Sequence, residues 1–192
     1  MDIKIYNLFP TLVTQVFNFI DEKEEKQILN IIKKNNSLLK KHGAFTKNAM
    51  SSFSDLNFFK HLDIDFNEKL IKCIKIYAEQ SGYEITDMIT NSWFNIQKNN
   101  SILLNHTHPI STVSGVIYLK VSDKSSPIYF FNPNPMINFT KRNNENTAYS
   151  CKWVWFKPKA RSMLLFPSWL KHGSNYKKNK DSLRTVLSFN CT

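Results

Sequence analysis

A chain of 192 residues can bury one substantial core but not two independent ones. Its 42% hydrophobic, 14% aromatic and 21% charged fractions exclude a disordered or collagen-like chain. With four glycines and no GxGxxG or GxxxxGK[ST] pattern, it also lacks the usual phosphate-binding loops. Lys and Arg total 26 against 15 Asp and Glu, a formal charge of +11 that favours acidic partners such as nucleic acid, anionic surfaces or polyanionic substrates. Most of that charge is expected to be solvated surface, because lysines scatter over the polar faces of the helices. Cys73, Cys151 and Cys191 are far apart and form no CxxC, which argues against a disulfide framework and for a reducing interior. There is no long apolar run for a membrane span, and the start MDIKIYNLFPTLV lacks a signal peptide's basic end. The chain is expected to be soluble, intracellular and cytoplasmic.

In chain order, residues 5–19 alternate well enough to form a strand that joins a later sheet. Asp21 and Glu24 have the spacing of a capping box, so a helix should begin near residue 22 with Ile28, Leu29, Ile31 and Ile32 on its apolar face. Residues 42–56 read as loop. Phe66, Leu70, Cys73, Ile74 and Tyr77 recur at helical spacing, and Gly82 is a suitable stop. From residue 88 the period changes. ITNSWFNIQ, SGVIYLKV, PIYFFNP, KWVWFKP, SMLLFP and RTVLSFN are short, rich in β-branched and aromatic residues, and bounded by turn formers. Such runs make an antiparallel sandwich or barrel, with the helices packed on one outer face. The polar stretch 132–150 is expected to be a long mobile loop. No linker separates the regions, so residues 1–192 read as one domain, with a supporting part over 1–87 and a β core over 88–192.

Three of the five histidines fall in the β-rich half. His106 and His108 are two apart, and in an extended segment both project to one face. His172 follows a strand and turn far downstream, as a third ligand at a barrel mouth would. Three imidazoles suit Fe(II), Zn, Cu or Ni, and three ligands leave positions open for substrate. His42 and His61 read as ordinary histidines away from that site. On the last strand Arg184, Val186 and Ser188 share one face, while Thr185, Leu187 and Phe189 share the other. An arginine directed into a barrel needs an anion, and a guanidinium beside a hydroxyl is a good carboxylate receptor. An acidic side chain could serve as that anion equally well. Trp93, Trp153 and Trp155 either wall the site or pack within the sheets. A three-histidine cupin-like or zinc-dependent enzyme and a non-catalytic basic nucleic-acid-binding module remain as alternatives.

The segments NSWFNIQ, HTHPISTVSGVIYLK, IYFFNP, LLFPSWLKH and RTVLSFN, in this order, resemble the 2OG-Fe(II) oxygenase family of bacteria and of phages of aquatic bacteria. More distantly they are similar to prolyl 4-hydroxylases. The resemblance covers roughly residues 88–190. It implies an α+β, mainly β fold: a double-stranded β-helix (jelly-roll, cupin-like) core with N-terminal helices on one face. It implies an Fe(II)- and 2-oxoglutarate-dependent dioxygenase that hydroxylates an unidentified substrate and releases succinate and CO2. By the same resemblance His106, His108 and His172 hold the metal, Arg184 and Ser188 bind the far carboxylate of 2-oxoglutarate, and Tyr118 and Asn95 line its pocket. The implied partners are 2-oxoglutarate, O2 and a prime substrate that is a protein side chain, a nucleic acid or a metabolite, with no membrane. Three positions depart from the wider pattern. His108 stands in the place of a carboxylate, Arg161 where a glycine is common, and Val186 where a small hydroxyl residue often follows the arginine.

Overall fold

The computed structural model describes residues 1–192 except 47, 87, 140, 142–146, 148 and 175. The helices begin where the sequence supplies caps. Asp21 Oδ1 accepts from the Glu24 amide at 2.7 Å, and Glu24 Oε2 accepts from the Asp21 amide at 2.7 Å. That reciprocal pair satisfies donors a helix start otherwise leaves to water. Helix α1 (Glu22–Lys34) follows and buries Ile28 and Ile32, with Leu29 and Ile31 packed at the margin. Helix α2 (Ile64–Ser81) is capped by Asp63, ends at Gly82, and buries Phe66, Leu70, Ile74 and Tyr77. Neither helix is long and apolar enough to cross a membrane.

All pairings between strands are antiparallel. The larger sheet has six strands: β1 (Thr14–Val16), β2 (Ala49–Ser51), β3 (Asn91–Gln97), β4 (Val113–Tyr118), β7 (Met163–Pro167) and β9 (Arg184–Cys191), in the order β1-β7-β4-β9-β3-β2. The smaller holds β5 (Ile128–Phe131), β6 (Trp153–Phe156) and β8 (His172–Gly173), in the order β6-β5-β8. Strict alternation divides the apolar side chains of the large sheet into two cores. Phe94, Val113, Ile117, Leu187 and Phe189 pack against α1 and α2. Val116, Tyr118, Leu164, Phe166 and Val186 pack against Ile128 and Phe130 of the small sheet. The helices therefore cover one face, and the small sheet closes over the other.

Several expectations need adjusting. The segment read as loop over 42–56 contains β2, because Ala49–Ser51 finds an open edge on β3. The first strand shrinks to Thr14–Val16, with positive φ at Phe9 and Asn18 on either side. The stretch expected to be a mobile loop holds a one-turn 3-10 helix at Pro135–Asn138, and its residues 140, 142–146 and 148 lie outside the described residues. Arg161, where a glycine is common, adopts φ 64, the left-handed region that glycine tolerates best. Its guanidinium donates to Glu25 of α1 at 3.0 Å, a contact glycine could not make.

Gly115 shows how tightly the helix-side core is closed. A Cβ there would fall inside the Phe189 ring of the neighbouring strand. Gly115→Ala should therefore lower stability by about 1–3 kcal/mol through overpacking. A reduced urea midpoint at unchanged slope would record this, and adding Phe189→Leu should restore part of the loss.

Candidate metal centre and its pocket

The centre of the site is a backbone pairing. The His106 amide donates to the His172 carbonyl at 2.9 Å, and the His172 amide donates back to the His106 carbonyl at 3.0 Å. Residues paired in this way face each other with side chains on one side. Gly173 permits the approach, since a Cβ there would meet the Asn105 backbone at 3.0 Å. His108 lies two residues along from His106, with its amide held by the Ser168 carbonyl at 2.9 Å. The three ring centroids are 4.4, 5.0 and 5.2 Å apart. One nitrogen from each ring lies within 4.8 Å of the others, and no other described group of His, Cys, Asp or Glu gathers in this way.

Two of the rings are oriented by the same device. His106 Nδ1 sits 2.8 Å from the Leu104 carbonyl, and His172 Nδ1 sits 2.8 Å from the Leu170 carbonyl. A carbonyl only accepts, so each Nδ1 carries the proton and each Nε2 carries the free lone pair. Burial lowers the pKa of all three rings, reinforced by their mutual proximity at His108 and His172. His108 is held at about 4. The cluster is thus a set of neutral imidazoles at neutral pH, the form that binds a divalent metal.

Beside it opens a cleft of about 290 Å³ between the sheets. Trp93, Asn95 and Gln97 line it from β3, Val116 and Tyr118 from β4, and Arg184, Val186 and Ser188 from β9. Their register explains the grouping: Gln97 is opposite Arg184, Trp93 opposite Ser188, and Tyr118 opposite Val186. Arg184 is buried, donates to Gln97 Oε1, and lies 5.6 Å from the Tyr118 ring centre. No described carboxylate comes within ion-pair distance of it. Asp181, whose charge it feels, is engaged instead by the Ser122 and Ser125 hydroxyls. Arg184 Nε, Tyr118 OH, Asn95 Oδ1 and Gln97 Nε2 are buried without a partner. Burial pushes the Tyr118 phenol up to about 12, against the pull of Arg184, so it stays a proton donor.

The family model described as "Putative 2OG-Fe(II) oxygenase" matches residues 91–190. The chain belongs to this family. Solved structures share the fold at low identity. A Burkholderia pseudomallei 2OG-Fe(II) oxygenase family oxidoreductase aligns with TM-score 0.63 at 11% identity, over 94% of this chain and 84% of that one. A Pseudomonas putida prolyl-4-hydroxylase gives 0.63 at 10%, over 94% and 92%. The viral collagen prolyl hydroxylase of Paramecium Bursaria Chlorella virus-1 gives 0.58 at 12%, over 93% and 94%. No curated protein sequence matches the chain. The two facing sheets with helices on the outer face are thus the double-stranded β-helix of the 2OG oxygenases.

In this member of the family, the structure brings together the residues expected at the metal and the cosubstrate: His106, His108, His172, Arg184, Ser188, Tyr118 and Asn95 all line one cleft. Asn95 Nδ2 donates to Ser188 Oγ at 3.1 Å, which joins the two. The site also contains residues not anticipated. Gln97 shares the alternation of Trp93 and Asn95, and that period would have found it. His42 was expected to lie elsewhere but lines the same cleft, its ring 4.5 Å from that of Phe53. Nothing in its spacing announces this, because a loop carries it there. Of the tryptophans, Trp93 lines the cleft and Trp153 and Trp155 do not.

The buried neutral histidines have a stability consequence. Their folded pKa values lie below the ordinary 6.5, so between that value and about 4 for His108 the unfolded chain binds more protons. Stability is fully present above about 6.5 and falls as pH drops toward the folded value. In metal-free protein the urea midpoint should fall between about pH 7.5 and pH 5, and His108→Asn should show a smaller fall.

Proposed function

We propose that this chain is an Fe(II)- and 2-oxoglutarate-dependent dioxygenase that hydroxylates a substrate, with His106, His108 and His172 holding the iron and residues 1–192 acting as one domain. The observation that carries the reading is Arg184, a buried guanidinium with no described carboxylate beside it and unpartnered polar atoms around it. A buried charge without an anion is costly, so the cleft is built for an anionic ligand. The donor set fits as well, since three neutral imidazoles with Nε2 lone pairs suit Fe(II) and leave coordination positions open. The core shared by α1, α2 and the large sheet supports the single domain.

In this reading each residue has a defined task. Arg184 grips the far carboxylate of 2-oxoglutarate, with the Tyr118 hydroxyl and the Ser188–Asn95 pair supplying further hydrogen bonds. The Leu104 and Leu170 carbonyls keep His106 and His172 in the tautomer that presents Nε2. Trp93 and Phe53 wall the cleft against water. When bound, iron and 2-oxoglutarate supply the activation of O2: one oxygen atom goes to succinate as CO2 is lost, and the other becomes the hydroxyl of the product. His108 in place of a carboxylate removes a negative charge from the metal shell. A divalent metal held by these three neutral rings would keep its full double charge, which together with Arg184 would favour the dianionic cosubstrate.

Loss of a desolvated charge-assisted contact costs about 2–5 kcal/mol, roughly 30- to several-thousand-fold in affinity. Arg184→Ala should still bind Fe(II) but take up 2-oxoglutarate that much more weakly. Arg184→Lys should recover only part, because the planar fork is lost. Anaerobic calorimetric titration of 2-oxoglutarate into Fe(II)-loaded variants, with a succinate assay beside it, reads this directly. Unchanged affinity in Arg184→Ala would overturn the reading in favour of a general three-histidine site, such as one that uses zinc.

A further inference from the structure

The charge of this protein is unevenly distributed. Residues 1–87 carry 12 Lys and 12 Asp or Glu, whereas residues 88–192 carry 14 Lys or Arg and 3 Asp or Glu. The entire excess of +11 therefore belongs to the β half, and the lysines of the helical half are balanced. A solvated-helix explanation does not account for that asymmetry.

On the small sheet this charge meets a second feature. The face turned away from the cleft is aromatic. Ile128 and Phe130 of β5 point into the core between the sheets, so Tyr129 and Phe131 point outward by alternation. Opposite them in register on β6 stand Trp155 and Trp153. Tyr176 lies over this face, its ring 5.2 Å from Tyr129, 5.5 Å from Trp153 and 5.8 Å from Phe131. Two of these rings are half in solvent, Trp155 at 51% exposed and Tyr176 at 58%.

Lysines border the rings. Lys157 directly follows β6, its ammonium paired with the solvent-exposed Asp123 at 2.6 Å. The Lys171 carbonyl accepts from the Phe131 amide, which sets Lys171 opposite Phe131, and its neighbour His172 points inward. Lys177 and Lys178 follow Tyr176 and are exposed.

We propose that the outer face of the small sheet is a binding surface for single-stranded nucleic acid. Each base presents a flat π-face that stacks on an exposed aromatic ring, and the flanking ammonium groups meet the phosphates. The two half-exposed rings, Trp155 and Tyr176, each offer a face on which a base of an extended, unstacked strand can lie. A duplex hides its base faces and could use only the lysines. A neutral glycan would use the rings and leave the lysines without a role. The charge concentrated in this half of the chain decides between them. The surface is separate from the metal centre: His172 faces one side of its short strand and this platform the other. Binding here is thus independent of the oxygenase reading.

The experiment uses the full chain in EDTA, so that no metal chemistry enters. A fluorescein-labelled oligo(dT) or oligo(rU) dodecamer is titrated by anisotropy, with tryptophan emission followed in parallel. We expect binding with quenched tryptophan emission and a log–log salt slope near −2, as about three phosphate contacts on a single strand give. Trp155→Ala and Tyr176→Ala should each weaken binding by about tenfold, in line with the loss of one stacked base. Lys157→Gln with Lys171→Gln and Lys177→Gln should flatten the salt slope. Each aromatic substitution is at a half-exposed position and should leave the folded signal by circular dichroism unchanged. Absence of binding at about 50 mM salt would overturn the proposal. So would affinity in the two aromatic variants unchanged from that of the unsubstituted chain, preference for duplex of the same sequence, or binding of a neutral oligosaccharide that alone quenches the tryptophans. A dimer in sedimentation that Trp155→Ala dissolves would also overturn it, since this face would then belong to a second copy.

Discussion

The histidine cluster depends on one exchange of backbone hydrogen bonds, that between His106 and His172. Neither residue sits in a long strand. His172 is half of a two-residue strand, and His106 makes only an isolated bridge. Yet the pairing fixes both Cα positions, and the carbonyls two residues upstream fix both rings. The surrounding side chains hold the arrangement in place: Phe166 packs 4.7 Å from the His172 ring and Phe130 6.0 Å from it. A cluster built this way is preorganised, because the His106 and His172 rings cannot turn away without breaking their hydrogen bonds to backbone carbonyls.

The second constraint is electrostatic. Beside the cluster of three imidazoles that burial keeps neutral, the cleft contains the Arg184 guanidinium, which burial cannot neutralise at any ordinary pH. No described acid balances Arg184, and Gln97 supplies only a neutral acceptor. A buried guanidinium without an anion is unfavourable, and that cost is offset by the tightly packed cores on both sides of the large sheet. The same sheet thus has two jobs. Its helix-side residues, Phe94, Leu187 and Phe189 among them, provide stability. Its inward residues, Asn95, Gln97, Arg184 and Ser188, line the cleft. Alternation keeps the two sets apart on the same strands.

The helix boundaries, the six β-rich runs and the inward face of the last strand were all legible in the sequence, because each is local. A capping box spans four residues, and a strand's facing pattern has period two. The same period placed His106 with His108, and Arg184 with Ser188. By itself, then, the sequence determined most of the element types, the sidedness of the last strand and, through its motifs, the family.

What only the tertiary structure decided is which separated pieces touch. Residues 49–51 carry no strong strand signal and become β2 because the edge of β3 is open to them. His172 comes to His106, His42 enters the cleft, and Gln97 comes to face Arg184 only when the sheets close. The outward aromatics of the small sheet likewise become one surface through pairing across strands and the return of Tyr176 over them. These contacts join residues far apart along the chain. Their free energy depends on chain closure and on burial by distant neighbours, and no window of local residues contains that information.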